Sequence, residues 1–411
     1  MPAVVLIGTL DTKGAEYAFV QRVIEGCGCT TLVVDVGIAP APDYKADISS
    51  DKVAAAGGAD VQSLRTGNDR GRAMEVMARG AAETVRELYR AGRLDAVLAL
   101  GGSGGTSVAT AAMRALPVGV PKLMVSTVAA GDVASYVGTS DIMMLYPVID
   151  IAGLNIISER VLSNAAVAVA AMAMAFAAAR KGPPIRATRR VLAITMFGVT
   201  TPAVTVARTW LEGAGYEVLV FHANGAGGRA MEALIRDGFI EGVLDLTTTE
   251  LADELVGGTL SAGPDRLEAA GALGLPQVVS LGALDMVNFG TIATIPKKFR
   301  KRRFYRHNPH VTLMRTTPEE CSKLGAMVAR KLNRSKGPVT VFVPLRGTSS
   351  ISAQGGVFHD AEADRALVAG LKANLDPAIA CVTSDSAIND RDFALAMAHE
   401  LDAHMKKDGK K

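Results

Sequence analysis

From Ala3 onward, short runs of consecutive apolar residues alternate with longer stretches whose apolar positions recur every three or four residues. AVVLIG (Ala3–Gly8) reads as a strand and Ala15 to Gly26 as a helix. TLVVDVG follows as a strand, Gly71 to Ala91 as a long helix, LDAVLAL as a strand, Ser103 to Leu116 as a helix and PKLMVST as a strand. Near-continuous apolar strands separated by helices predict a parallel sheet covered on both faces. Between them, Ala39 to Arg70 breaks the rhythm with Pro40, Pro42, Gly57 and Gly58 and reads as an excursion or lid over the sheet.

The same rhythm restarts later, with VLAITMFG as a strand, a helix from Pro202 to Gly213 and YEVLVFH as a strand. Further strands are expected at GVLDL, QVVSL, VTVFVP and IACVTSD, then a helix from Asp390 to about His404 and a disordered KKDGKK tail. RKGPPIRATRR (Arg180 to Arg190) reads as the linker. The expected architecture is α/β, with two Rossmann-like domains over residues 1–184 and 185–411, each a mainly parallel sheet flanked by helices. The two starts share the spacing from Gly28 to Asp35 and from Gly215 to His222, which fits either a duplication or two βαβ units obeying one packing rule.

Composition adds exclusions. With 411 residues, 49% hydrophobic, 21% charged and a net charge of +3, the chain is ordinary globular material and too balanced to imply nucleic acid. Cys27, Cys29, Cys321 and Cys381 form no C-x-x-C pair, so reduced thiols and a cytoplasmic location are expected. VLSNAAVAVAAMAMAFAAAR (Val161–Arg180) has the length of a membrane span, but alanine dominates it and a buried helix is the reading; no membrane association is expected.

Chemistry concentrates where strands end. LDAVLALGGSGGTS places four glycines within Gly101–Gly105, straight after an apolar run and before a helix. Unpaired amides at a helix start attract anions, and glycine lets phosphate oxygens approach the backbone. Ser103 and Thr106 add hydroxyls, and two more loops, Gly8–Gly14 and Ser126–Asp132, leave neighbouring strands. Neither glycine loop is a P-loop or G-x-G-x-x-G fingerprint. Asp35 stands where dinucleotide folds hold a ribose, or else faces a sheet edge. Asp11 and Asp132 would repel bare phosphate; facing the ligand they imply Mg²⁺ or ribose hydroxyls, and no cluster of protein side chains predicts a metal site. Lys13 is open between phosphate contact and solvation.

In the second half, Arg346 in PLRGTSS suits a carboxylate or phosphate, and His359 could serve as an acid or base; these two are the candidate catalytic residues. Asp360 reads as the cap of a helix starting at Ala361. Asn224, Gly225, Gly227 and Gly228 form a further loop at the same rim. Lys297 to Arg306 carries seven basic residues and reads as a solvated loop or dimer arm, with anion capture by Arg302, Arg303 or Arg306 beside His307 and His310 as the alternative and nucleic acid the remote one.

The segments GTLDTKG, DVG, GGSGGT, TVAAGDV with SDIMMLYPVIDIAGLN, FGVTTP, HNPHVTLMRTT and VPLRGTSSISAQGG together resemble one family over nearly the whole chain. It is the ATP-binding domain family named after the tomato mosaic virus resistance protein. The resemblance implies a two-domain α/β subunit, ATP in the first domain and a homodimer. It hands nucleotide contact to Gly8, Thr9, Asp11, Thr12, Gly101, Gly102, Ser103, Gly104, Gly105, Thr106, Thr127, Gly131 and Asp132. Three functions stay open: an ATP-using enzyme acting on a small anionic substrate at an interdomain cleft, a non-catalytic nucleotide-responsive regulatory dimer, or a lyase or hydrolase of small carboxylates or sugar acids.

Overall fold

The computed structural model describes residues 1–39, 44–181 and 189–408. The chain divides into two compact units, Met1–Arg186 and Ala187–Lys411. In the first, the elements are β1 (Ala3–Gly8), α1 (Leu10–Gly26), β2 (Thr30–Asp35), α2 (Ser50–Ala56), α3 (Val61–Thr66), α4 (Arg70–Arg90), β3 (Ala96–Gly101), α5 (Ser103–Arg114), β4 (Lys122–Ser126), α6 (Ala134–Val137), β5 (Met143–Leu145) and α7 (Ile156–Lys181).

Its sheet has the order β2-β1-β3-β4-β5 with every pairing parallel. Strands buried on both faces must be apolar throughout, which is why AVVLIG and AVLALG show no alternation. α1 and α7 cover one face, where Tyr17, Val20, Leu162 and Val169 join Leu6 and Leu98. α2, α4 and α5 cover the other, around Val5, Ile7, Val97 and Ala99. In this order the connections leaving β1 and β3 depart in opposite directions, and the crevice between those two strand ends is where such sheets bind ligands.

The excursion expected as a lid, as far as it is described, is docked. Val53 and Ala54 of α2 are buried in the core, and a Cβ on Gly80 would stand 1.8 Å from the Val53 carbonyl oxygen. α2 and α4 therefore touch backbone to backbone. α7 is long and apolar enough to cross a membrane by length and composition; its Leu162, Ala165, Ala166, Val169, Ala170 and Ala173 are buried in the sheet's core.

The second unit contains β6 (Val191–Met196), α8 (Thr201–Gly213), β7 (Glu217–His222), α9 (Ala226–Arg236), β8 (Gly242–Thr247), α10 (Glu250–Val256), α11 (Ala269–Ala272), β9 (Gln277–Gly282), β10 (Met286–Phe289), β11 (Phe304–Asn308), β12 (Val311–Arg315), α12 (Pro318–Leu332), β13 (Val339–Pro344), α13 (Ala361–Asn374), β14 (Ala380–Ser384) and α14 (Arg391–Asp408). Its parallel sheet runs β14-β13-β9-β8-β6-β7, so β6, β7 and β8 repeat the arrangement of β1, β2 and β3. Gly28 and Gly215 both take left-handed backbone (φ +85° and +98°) after their helices, a conformation glycine adopts without strain.

Three features depart from the sequence reading. An antiparallel sheet, β10-β12-β11, is inserted after β9. Of the expected linker, Arg180 and Lys181 end α7, Arg180 pairs with Asp95 at 3.2 Å, and residues 182–188 lie outside the described ones. Of the expected disordered tail, Lys406 to Asp408 continue α14, because Met405 is buried and Lys406 pairs with Asp402; the last three residues lie outside the described ones.

Candidate functional site

The crevice between β1 and β3 holds a cavity of about 350 Å³. Three loops and two helices build it. From the β1 loop come Thr9, Asp11, Thr12 and Lys13; from the turn after β2, Val36, Gly37 and Ile38; from the β3 loop, Gly102 to Gly105. Arg70, Ala73, Met74 and Met77 of α4 and Val108 of α5 close the side.

The floor is the start of α5. Gly102 is its N-cap residue and no side chain caps the helix, so the first-turn amides of Ser103, Gly104 and Gly105 lack an intrahelical acceptor. They line the cavity with the positive end of the helix dipole behind them. Thr106 turns inward: its hydroxyl bonds the Gly102 carbonyl at 2.7 Å and Ser126 at 2.6 Å, which fixes the loop. The Arg70 guanidinium reaches over the loop, 3.3 Å from where a Cβ on Gly104 would lie.

The opposite wall carries oxygen. Thr9 and Thr12 share a hydroxyl contact at 3.0 Å. One Asp11 oxygen accepts the Ala39 amide at 3.2 Å, while Oδ1 is buried with no hydrogen-bond partner. Asp11 can stand this close only because the neighbouring residue is Gly37, where a Cβ would meet the carboxylate at 2.8 Å. Lys13 donates to the Ile151 carbonyl from the cavity edge.

The predicted residues thus separate. Thr9, Asp11, Thr12, Gly102, Ser103, Gly104 and Gly105 share the cavity. Gly8 lies under the Tyr17 ring, and Gly101 is buried in β3. Asp35 does not face the cavity: its Oδ1 accepts the amides of Gly37 at 2.9 Å and Leu10 at 3.3 Å, bracing the β2 turn against α1. Burial raises its pKa against the pull of those two amides. Asp132 accepts the Ala134 amide at 2.9 Å in the turn before α6, and neither it nor Thr127 or Gly131 lines the cavity, although the Thr127 hydroxyl stands beside Gly102. Arg70, Met74 and Met77 went unpredicted, since nothing in their local sequence announces that the chain returns them to the β3 loop.

The other glycine loop has a different fate. Around Asn224–Gly228, the amides of Gly225 and Gly228 donate to Glu250 Oε1 at 2.7 and 3.1 Å. A Cβ on Gly228 would stand 2.2 Å from that carboxylate. These glycines make room for the protein's own anion. Arg266, fully buried, holds Glu250 at 2.7 Å, Asp245 at 2.5 Å and Glu232 at 3.6 Å. Burial works against its charge, yet the three carboxylates keep its pKa far above normal.

Arg346 and His359 both line a second cavity, of about 640 Å³. Asp360 is the N-cap of α13, accepting the Ala363 amide at 3.1 Å. In the basic segment, Arg302 is committed to Glu320 at 2.6 Å and Arg303 to the His359 carbonyl, while Arg306, His307 and His310 are exposed around β11. Among the described residues no group of three or more His, Cys, Asp or Glu is placed to hold a metal ion, and all four cysteines are free thiols.

Residues 2–178 match the model described as "Uncharacterised protein family (UPF0261) N-terminal domain", and residues 189–405 match its C-terminal counterpart. A UPF0261 protein of Clostridium tetani is 50% identical over 405 residues, spanning 98% of this chain and 99% of its own. The ToMV resistance protein Tm-1(GCR237) of Solanum lycopersicum is 40% identical over 415 residues, covering 96% of this chain and 55% of the tomato protein. Among solved structures, a UDP-GlcNAc 2-epimerase from Neisseria meningitidis, bound to UDP-GlcNAc, aligns with 68% of this chain and 82% of its own, at 12% identity and a TM-score of 0.24.

Proposed function

The chain belongs to the UPF0261 family, and we propose that its N-terminal domain binds the phosphates of a nucleoside triphosphate, ATP on the resemblance described above. The observation that carries the reading is the uncapped start of α5, whose Ser103, Gly104 and Gly105 amides line the cavity beneath Arg70. Backbone amides, a helix dipole and a guanidinium form a site for a multiply charged anion. The plugged glycine loop at Glu250 sharpens the contrast, because there the protein supplies the anion itself.

The rest of the cavity suits the remainder of a nucleotide. Ile38, Met74, Met77 and Val108 offer an apolar wall to a base. The unpartnered Asp11 Oδ1 can accept from a ribose hydroxyl or face a Mg²⁺ ion accompanying the phosphates.

The test is thermal unfolding of the full chain with ATP, ADP, AMP or NAD, each with and without Mg²⁺. A ligand at a hundred times its Kd adds about 2.7 kcal/mol, which is readily seen as a rise in Tm. ATP is expected to stabilise most, and Gly104→Val to abolish the response while leaving the unliganded Tm near that of the parent. A Gly104→Val protein that still responds to ATP as the parent does would refute the assignment.

A further inference from the structure

The larger cavity of the second unit has a distinct chemistry. It opens at the C-terminal ends of β9 and β13, against one face of α13, and measures about 640 Å³. That is within the range of small-molecule pockets. Leu281, Leu345 and Val368 give it apolar walls. Two arginines, Arg346 and Arg365, line the same space.

The stem of Arg346 is rigidly placed. Just after β13 the chain knots back on Asp285, which is fully buried and accepts Thr348 Oγ1 and Ser349 Oγ, each at 2.9 Å. Ser352 Oγ accepts the amides of Thr348 and Ser349, each at 3.0 Å. Gly347, at φ +131°, makes the turn, and a Cβ there would stand 2.7 Å from Ala353 Cα. Arg346 precedes this knot, and its own amide is tied to the Ser386 carbonyl at 3.0 Å.

Its charge is nevertheless uncompensated. Among the described residues neither the Arg346 nor the Arg365 guanidinium makes a hydrogen bond or ion pair, whereas Arg266, Arg302 and Arg315 are all paired. Asp364, which also lines the cavity, bonds Arg315 through Oδ1 at 2.6 Å and pairs with neither Arg346 nor Arg365. A pocket with apolar walls and two free planar cations is complementary to one kind of molecule. We infer that this cavity binds a small organic carboxylate, its head held by Arg346 and Arg365 and its apolar body lying against Leu345 and Val368. Inorganic phosphate or sulfate would satisfy the arginines but leave those walls wet. The inference is independent of the nucleotide reading, since every residue it uses belongs to the second unit.

The test uses the full chain at constant ionic strength and follows Tm against sodium hexanoate and sodium benzoate, with sodium sulfate, sodium phosphate and neutral hexanol as controls. Saturable stabilisation is expected from a carboxylate in the millimolar range and from none of the controls. Arg346→Met and Arg365→Met are each expected to weaken it about tenfold or more. Both side chains are exposed, so the variants should keep the parent Tm without ligand, and Gly104→Val should bind the carboxylate as the parent does. Three results would overturn the inference: no saturable response to either carboxylate, a response unchanged in Arg346→Met, or an equal response to sulfate or phosphate.

Discussion

The Tyr17 ring fills the space that any side chain on Gly8 would need: a Cβ there would lie 2.1 Å from the ring. This contact sets the geometry of the crevice between β1 and β3. Tyr17 pushes its hydroxyl between the ends of β1 and β3, where it donates to the Ile7 carbonyl and accepts the Leu100 amide at 2.7 Å. The β1–β3 ladder runs only to Ile7 and Ala99. Beyond that point the hydroxyl replaces a strand-to-strand bond and the two loops part.

Tyr17→Phe therefore leaves a buried amide and a buried carbonyl without their shared partner, at an expected cost of about 1–3 kcal/mol in urea unfolding. Gly8→Ala should cost at least as much, because the ring cannot retreat from a fully buried site. If Tyr17→Phe unfolds at the parent's urea midpoint, the hydroxyl does not hold the strands apart.

Arg70 provides a second check on the proposed nucleotide site. It sits above the α5 start and is exposed, so Arg70→Met should leave folding intact. A charge-assisted hydrogen bond to phosphate contributes about 1.5–3 kcal/mol, so ATP affinity should fall roughly tenfold to a hundredfold. AMP, with fewer negative charges, should be affected less. Equal loss for ATP and AMP by calorimetry would remove Arg70 from the β and γ phosphates.

The sheet strands and the glycine pentad were legible in the sequence because both are written in consecutive residues. AVVLIG reads as a strand buried on two faces, and GGSGGT after AVLAL reads as a strand-to-helix turn. Direction and filling were not legible. Asp35 stands at the end of β2 as a ribose ligand would, yet its oxygen is spent on amides at Gly37 and Leu10. The glycines at 225, 227 and 228 resemble those at 101 to 105, and only the fold brings Glu250 to fill one loop while leaving the other open. Arg70 reaches the cavity through a long excursion, and the β10-β12-β11 sheet interrupts the βα rhythm without turn signals strong enough to announce it.

The plug at Glu250 is itself testable. Arg266 is the buried cation that pairs with three buried carboxylates, and removing it strands their charge. Arg266→Met should destabilise the second unit by about 3–5 kcal/mol, far more than loss of a surface pair. Adding Asp245→Asn and Glu250→Gln to Arg266→Met should recover part of that loss, since the stranded charges go with them. A triple variant no more stable than the single one in urea would show that the cluster acts by packing rather than by charge.

The pH dependence of stability has a specific source at Asp253. This carboxyl is buried beside β10, where Asn288 donates to it through its amide at 2.9 Å and through Nδ2 at 2.7 Å. Burial dominates over these bonds and raises its pKa from 3.8 to about 7, with Glu250 adding to the rise. Between those two values the folded protein keeps a proton that the unfolded chain has released, so this carboxyl favours folding most at acid pH, and its contribution drains away as pH climbs. Asp253→Asn has nothing to titrate. Relative to the parent, the variant should gain stability steadily from about pH 4 to about pH 7 and level off above it, a change of a few kcal/mol measured by urea unfolding across the series. A constant difference between variant and parent over that window would mean the buried carboxyl ionises like an exposed one.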